Sequence, residues 1–529
     1  MAKGDRFSIN QQLSAIQAAF VIIVSIGVLL RLLNLSGKFF WIDEAFTAFR
    51  LSGFTESDLL QAWTDAPLIT AGDLLQYQFP AAGTSFVTTI RELAVHEPQL
   101  PPLYFVLTRW WVQLLGDSIA TIRSFSVLTS IAALPMLALL SRELFVSKLP
   151  AYIAVALMAV SPFQVLYAQE ARPYSLWTLG VIAMSWSLLW ALRSRTWQVW
   201  LIYGVLATLT LYTFVYTVFV LLAHSVYVGW QQRSHWRPFS VTAGLSALLF
   251  LPWVGVIVQN RQAGLDSTAW QLQSAQQPYL ALPLQWLLNI TRSFVDFEQT
   301  YAFGLNQLWP YGLVVLGAIA GVSYSVYRLV KTTPPDCWGF LLLLVVIPAL
   351  GVILPDLFLG GQQSTATRYF VPCWVALVLI VACALTSIGS QRYGKWLLSG
   401  IVALGLLSCL SNLLSIGGWH KTGTYIPPVS QVINETPAPF LISGGDIWIL
   451  AFSHYLNPET PMLMLTQTDD RLRVPQGYSH YFVYSISEAW QIGLTQSGFQ
   501  LATFDQLDQV PLWCLLSPGQ PAQPCPPEL

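Results

Sequence analysis

Charged side chains are scarce in this sequence: Asp, Glu, Lys and Arg make up only 10% of 529 residues, against about 25% in an ordinary soluble domain. That scarcity excludes a solvated globular surface. With 25 basic and 26 acidic residues, the chain also lacks the excess of positive charge that a nucleic-acid partner requires. Cysteine is equally sparse. Of the six present, Cys373, Cys383 and Cys409 fall inside apolar runs and Cys337 at the edge of one, where a structural disulfide is not expected. Only Cys514 and Cys525 share a hydrophilic segment, either as a disulfide or as one buried thiol and one tail thiol. No Cys/His cluster has zinc-ligand spacing, so a metal would have to be held by scattered carboxylates and His. There is no low-complexity tract and no repeat of roughly 20–50 residues.

What the chain has instead is apolar surface. Hydrophobic residues reach 54% and the mean hydropathy is +0.55, which defines a polytopic membrane protein. A helix needs about 20 apolar residues to cross a hydrocarbon core of about 30 Å. Eleven runs qualify: 14–36, 119–141, 149–167, 174–192, 197–213, 214–230, 238–258, 307–327, 338–355, 369–389 and 396–416. The first is an anchor rather than a cleaved signal peptide, because Arg31 and Asn34 follow its apolar run where small residues would mark a cleavage site.

Two segments set the topology. Reading 101–115 as an interfacial helix and 197–230 as two helices hinged near 212–216 places the N-terminal tail and the loops 142–148, 193–196, 231–237, 328–337 and 390–395 on one side. Those six segments hold twelve cations (Lys3, Arg6, Arg142, Lys148, Arg193, Arg195, Arg233, Arg237, Arg328, Lys331, Arg392 and Lys395) and three acids (Asp5, Glu143 and Asp336). The excess of Lys and Arg makes that side cytosolic. The N-terminus is then inside and the C-terminus outside, in a plasma (inner) membrane.

The outer segments are 37–118, 259–306, 356–368 and 417–529. In the first, 44–50, 56–62 and 87–97 read as short amphipathic helices suited to the membrane surface. In the tail, short apolar runs at 440–443, 462–465, 481–485 and 512–516 alternate with helical stretches at 447–456 and 488–496, with Asp446 and Ser487 as helix caps. The fold class is therefore an α-helical polytopic membrane protein with about 11 spans, interfacial helices in its first outer loop and a small C-terminal α/β extracytosolic domain. Residues 1–416 form the membrane domain and 417–529 the outer domain.

The charged motifs all fall on the outer face of this topology. Asp43-Glu44, two adjacent carboxylates, follow the first span, set in Phe39-Phe40-Trp41-Ile42-Asp43-Glu44-Ala45-Phe46. Glu97-Pro98-Gln99-Leu100-Pro101-Pro102-Leu103-Tyr104 opens the interfacial helix, Arg123 opens the second span, and Gln169-Glu170-Ala171-Arg172-Pro173-Tyr174 turns between the third and fourth.

Together these residues resemble the GT-C class of membrane glycosyltransferases, in particular the bacterial branch similar to protein O-mannosyltransferases and to the lipid A aminoarabinose transferase. The resemblance spans the chain in architecture and is specific in 35–190: the Asp-Glu pair, Pro101-Pro102-Leu103-Tyr104 followed by Gly116-Asp117-Ser118 and Arg123, and the Gln169–Tyr174 turn. One position departs. Many relatives carry His directly before the Pro-Pro-Leu-Tyr motif, where this chain has Leu100, with His96 four residues earlier.

The resemblance implies an inverting transfer of a hexosyl or pentosyl group from a polyprenyl-phosphate-linked sugar to an acceptor hydroxyl on a glycan, lipid or protein, with membrane lipids as further partners. No cofactor is certain, and a divalent metal is left open. Such a reaction needs a base for the acceptor proton and cations for the departing lipid phosphate. Asp43 is the candidate base, assisted or oriented by Glu44. Arg172 is the candidate phosphate ligand because a planar guanidinium can hold phosphate oxygens in pairs, with Arg123 and Arg368 as further candidates. Glu170, Tyr174, Tyr104, Glu97 and His96 are candidates for sugar or acceptor contacts. Each has a plainer alternative: Asp43 as a helix cap, Glu170 and Arg172 as a local ion pair with Arg172 reaching the headgroups and Pro173 as a first helical residue, Arg123 as a headgroup ligand. A different class, a transporter or flippase for a lipid-linked substrate, would place charges along a path through the membrane centre between matched halves. A third, a non-catalytic receptor built around the outer domain, would need neither so many spans nor the acidic pair.

Overall fold

The computed structural model describes residues 2–529 other than 82, 195, 273–277, 297–308, 390–391, 419–420, 422, 446, 466–473, 476, 504–511 and 517–529. Each of the eleven apolar runs contains a helix. Among the described residues six helices are long and apolar enough to cross a membrane, and a seventh span is obtained if the bent pair Leu149–Ala159 and Pro162–Ala168 counts as one. Three runs give shorter apolar helices, Gln17–Leu32, Trp197–Leu211 and Thr217–Gln231. The break between the last two falls at 212–216, where the topology reading placed a hinge.

The chain divides into two compact units. They do not follow a single cut after 416: one comprises Met1–Ser36, Leu93–Tyr104 and Ala120–His420, the other Gly37–Glu92, Phe105–Ile119 and Lys421–Leu529. The first outer loop thus contributes most of its length to the unit that contains the C-terminal segment.

The first unit is a helical bundle around Val371–Ile388, which packs against Leu149–Ala159, Trp309–Thr332 and Pro335–Leu359. Its bend has a local cause. Pro162 cannot donate a hydrogen bond and collides with the preceding turn, so the helix Leu149–Ala159 ends and a new one begins, inclined by 57°. A break in an apolar bundle strands carbonyl oxygens that have no water to turn to. Arg31, wholly buried near the end of the first helix, takes them up: Nη2 donates to Met158 O (3.0 Å) and Nη1 to Ala159 O (2.6 Å), while Nε donates to Ser130 Oγ (2.9 Å). Gly27 permits the approach, since a Cβ there would lie 2.4 Å from Ala159 O.

The second unit is built on a six-stranded sheet. Its strands are β1 (Leu68–Thr70), β2 (Pro439–Ser443), β3 (Pro461–Met464), β4 (His480–Tyr484), β5 (Gln500–Thr503) and β6 (Leu512–Leu516), in the order β1-β3-β2-β4-β6-β5. The centre is parallel, β3 and β4 flanking β2, and the flanks are antiparallel. Phe440, Leu441 and Ile442 are all fully buried, as expected of a central parallel strand covered on both faces. The edge strand β1 comes from the first outer loop, with Ile69 opposite Met462. Helix Ile42–Ser52 packs against Trp448–Ser453. It stops at Gly53, whose φ of 83° favours glycine, and Arg109 donates to its terminal Leu51 carbonyl. Cys514 is disulfide-bonded; Cys525 and the cap residue Asp446 lie outside the described residues. Ser487 does cap Glu488–Gln496, its hydroxyl accepting from Trp490 N.

Candidate functional site

The acidic pair lies in the second unit. Trp41 is extended and its carbonyl accepts from Glu44 N (2.9 Å) and Ala45 N (3.0 Å), so the helix starts at Ile42 and Trp41 is its N-cap. The reading of Asp43 as the cap of a helix beginning at 44 is thereby corrected. Both acids stand in the first turn, where the helix dipole favours negative charge. Asp43 is half-buried, and its main-chain oxygen accepts from Thr47 Oγ1 (3.0 Å). Glu44 is completely buried and pairs with Lys421 Nζ at 3.1 Å. The same ammonium donates to Phe39 O at 2.7 Å. Ahead of the pair, Phe40 N donates to Tyr455 Oη (2.6 Å), and the Phe40 ring meets His454 edge-on at 4.7 Å. His454 Nε2 is in turn 2.7 Å from Gln78 Oε1.

The arginines lie in the bundle. The Gln169–Arg172 turn joins Pro162–Ala168 to Tyr174–Arg193 and is pinned at both ends. Gln169 Nε2 donates to Leu30 O (2.8 Å) and Leu33 O (2.7 Å), and Arg172 N donates to Glu170 O (2.8 Å). Glu170 and Arg172 are buried, so Arg172 does not reach out to headgroups as a snorkelling side chain would. Pro173 is the N-cap rather than the first helical residue. Tyr104 is fully buried, its hydroxyl 2.9 Å from Ser126 Oγ, which donates to Arg172 O at 3.3 Å. That relay gives Tyr104 a part in supporting the turn.

Arg123 is fully buried and donates through Nη1 to Leu35 O at 2.5 Å. It is therefore tied to the chain leaving the first helix. Arg368 sits in a short turn before Val371–Ile388, its guanidinium 5.9 Å from the ring centre of Tyr174, 5.6 Å from Trp270 and 5.5 Å from Tyr369. Three ring faces around one cation form an aromatic cage. The preceding loop is held by the Asp356 carboxylate, which accepts from Gln363 N (3.2 Å) and Ser364 N (2.6 Å), and by Trp286 Nε1 donating to Ser364 Oγ (2.9 Å). Gly361, at φ +131°, passes so close to Gln271 that a Cβ would lie 2.7 Å from its carbonyl oxygen.

The structure thus brings Tyr104 and Ser126 to the Arg172 carbonyl, and Arg368 to the Tyr174 ring. His96 ends the helix Phe86–His96 and Glu97 begins the turn after it, both partly exposed. Pro98 O in that turn accepts from Trp253 Nε1 (3.0 Å). Among the described residues, no group of three or more His, Cys, Asp or Glu is gathered to hold a metal ion. Sequence reasoning missed Lys421 and the role of Arg31. The carbonyls that Arg31 takes up at the helix break and the carboxylate that Lys421 meets lie more than a hundred residues away in sequence, so neither contact has a local signature.

Comparison of the fold decides its class. ArnT from Cupriavidus metallidurans in the apo state superposes with a TM-score of 0.57, at 12% identity over 95% of this chain and 98% of that one. This is a GT-C fold. The same enzyme bound to undecaprenyl phosphate gives 0.52, at 12% identity over 94% and 97%. A looser likeness, 0.43 at 14% identity over 84% and 62%, is to the Archaeoglobus fulgidus oligosaccharyltransferase complex with Zn and sulfate. Within the GT-C fold, residues 99–256 match the family described as Dolichyl-phosphate-mannose-protein mannosyltransferase. That stretch contains Tyr104, Arg123, Glu170, Arg172 and Tyr174, while Asp43, Glu44 and Arg368 lie outside it. No curated protein sequence matches the chain.

Proposed function

We propose that this protein is a membrane glycosyltransferase that moves a sugar from a polyprenyl-phosphate donor to an acceptor hydroxyl on the outer face of the membrane. The observation that carries the reading is the coincidence of the GT-C fold with a family match over the segment that holds the buried Arg123 and Arg172. Undecaprenyl phosphate in the structure of ArnT supports a lipid phosphate as the leaving group.

In the proposed reaction the acceptor oxygen attacks the anomeric carbon, the bond from that carbon to the phosphate oxygen breaks, and the lipid phosphate leaves with the bonding electrons. Asp43 takes the acceptor proton. Glu44, already engaged with Lys421, orients the first turn rather than accepting the proton itself. Arg172 holds the phosphate through charge-assisted hydrogen bonds, with Arg368 and Arg123 adding positive charge. Glu170, Tyr174, Glu97 and His96 contact the sugar or acceptor. A divalent metal, if one takes part, would have Asp43 among its ligands. The cytosolic N-terminus follows from the distribution of Lys and Arg.

The test is turnover by the purified protein in liposomes that hold synthetic polyprenyl-phosphate hexoses and pentoses together with extracted envelope lipids and glycans. The expected result is release of free polyprenyl phosphate with a new glycoside of the matching mass. Intact donors throughout, with a correctly folded protein, would overturn the proposal.

A further inference from the structure

We infer that Lys421 is a positioning residue for the acidic pair, closing the Phe39–Glu44 segment into a fixed loop from which Asp43 is presented. This rests on the glycosyltransferase reading for its effect on turnover, while its geometry stands by itself. Nζ of Lys421 makes two contacts on either side of Asp43: the Phe39 carbonyl at 2.7 Å, four residues before it, and the Glu44 carboxylate at 3.1 Å, the residue after it. The lysine and glutamate side chains are 1% and 0% exposed.

The helix start needs such a clamp. Trp41 as N-cap makes no side-chain capping hydrogen bond, and the Lys421 ammonium ties the chain on both sides of it. Further anchoring comes from the C-terminal segment that Lys421 opens. Tyr455 accepts from Phe40 N, and Gly423, at φ +82°, passes the Trp448 ring so closely that a Cβ would lie 2.9 Å from its Cζ3. A buried ammonium shared between a carbonyl and a carboxylate holds both only while both charges are present. Without the lysine, the buried Glu44 carboxylate loses the ammonium that faces it and is driven toward protonation or toward water. Asp43, its neighbour, moves with it.

The test uses the full chain in liposomes, with undecaprenyl phosphate as the binding probe, synthetic polyprenyl-phosphate sugars for turnover, and amide hydrogen exchange over 37–46 as a readout independent of activity. Lys421→Met is expected to reduce kcat by about 10²-fold, the scale of a small misplacement of a reacting group. Undecaprenyl phosphate binding should be unchanged and exchange at 39–44 faster. Lys421→Arg should recover most of the turnover. If Lys421→Met does not fold, the charge-free pair Glu44→Gln with Lys421→Met removes the stranded anion, and it is expected to fold and to turn over slowly. A folded Lys421→Met, or the folded double variant, working at the wild-type rate overturns the inference. So does unchanged exchange in the segment. Absence of turnover in the wild type overturns the glycosyltransferase reading instead, and leaves the exchange measurement to decide the clamp.

Discussion

Arg31 Nη1 donates to the carbonyl oxygen of Ala159 at 2.6 Å, joining the end of the first helix to a break 128 residues further on. The contact explains how a broken helix survives in an apolar bundle. Arg31→Met should strand the Ala159 carbonyl at about 1–3 kcal/mol and leave Met158 O with the long contact from Ser161 N (3.4 Å), with a clear fall in the thermal midpoint in detergent. A midpoint equal to that of the wild type would show that the break satisfies itself in another way.

Asp43 and Arg172 should fail differently. A base acts only when the acceptor proton leaves, whereas a phosphate ligand acts already in the donor complex. Asp43→Asn is expected to keep fold and donor affinity and to lower the transfer rate by about 10²–10⁴-fold. Arg172→Ala is expected to weaken undecaprenyl phosphate binding by roughly 1.5–3 kcal/mol, read by titration in liposomes. Wild-type transfer by Asp43→Asn would move the base to another carboxylate.

The cage around Arg368 yields a prediction about shape rather than charge. Arg368→Lys keeps the cation and loses the flat face that lies against Tyr174, Trp270 and Tyr369. Both Arg368→Lys and Trp270→Ala are expected to lower affinity for undecaprenyl phosphate by about 0.5–2 kcal/mol. Full affinity in both would separate the cage from the phosphate.

Sidedness can be read directly with an impermeant thiol reagent. The native thiols Cys337, Cys373, Cys383 and Cys409 are buried, whereas Ser57, Ser234 and Ser267 are exposed. In intact cells Ser57→Cys and Ser267→Cys should label and Ser234→Cys should not. The opposite pattern would invert the topology.

The helical segments were legible in the sequence because lipid imposes a long, simple pattern, and the hinge at 212–216 because the sidedness of Lys and Arg asks for two helices in 197–230. The strands at Pro439–Ser443 and Leu512–Leu516 stood out as short apolar runs, and Ser487 as a cap. β1 did not, because three residues, Leu68-Ile69-Thr70, carry no period and acquire strand form only by pairing with Pro461–Leu463. The site was legible as far as its charged motifs were local. The Gln169–Arg172 turn is a compact motif in the sequence, whereas the lysine that faces Glu44 stands alone in a stretch of chain without one.

The Glu44–Lys421 pair also sets an order of events during synthesis. The two residues are 377 positions apart, and a ribosome adding about 5–20 residues per second needs roughly 20–75 s to make the second after the first. Throughout that interval the segment bearing Asp43 has left the ribosome without its lysine, and β1 has no neighbouring strand. The acidic pair is assembled only when the far end of the chain arrives, so a truncated or stalled product carries the whole motif and lacks the geometry that would make it act.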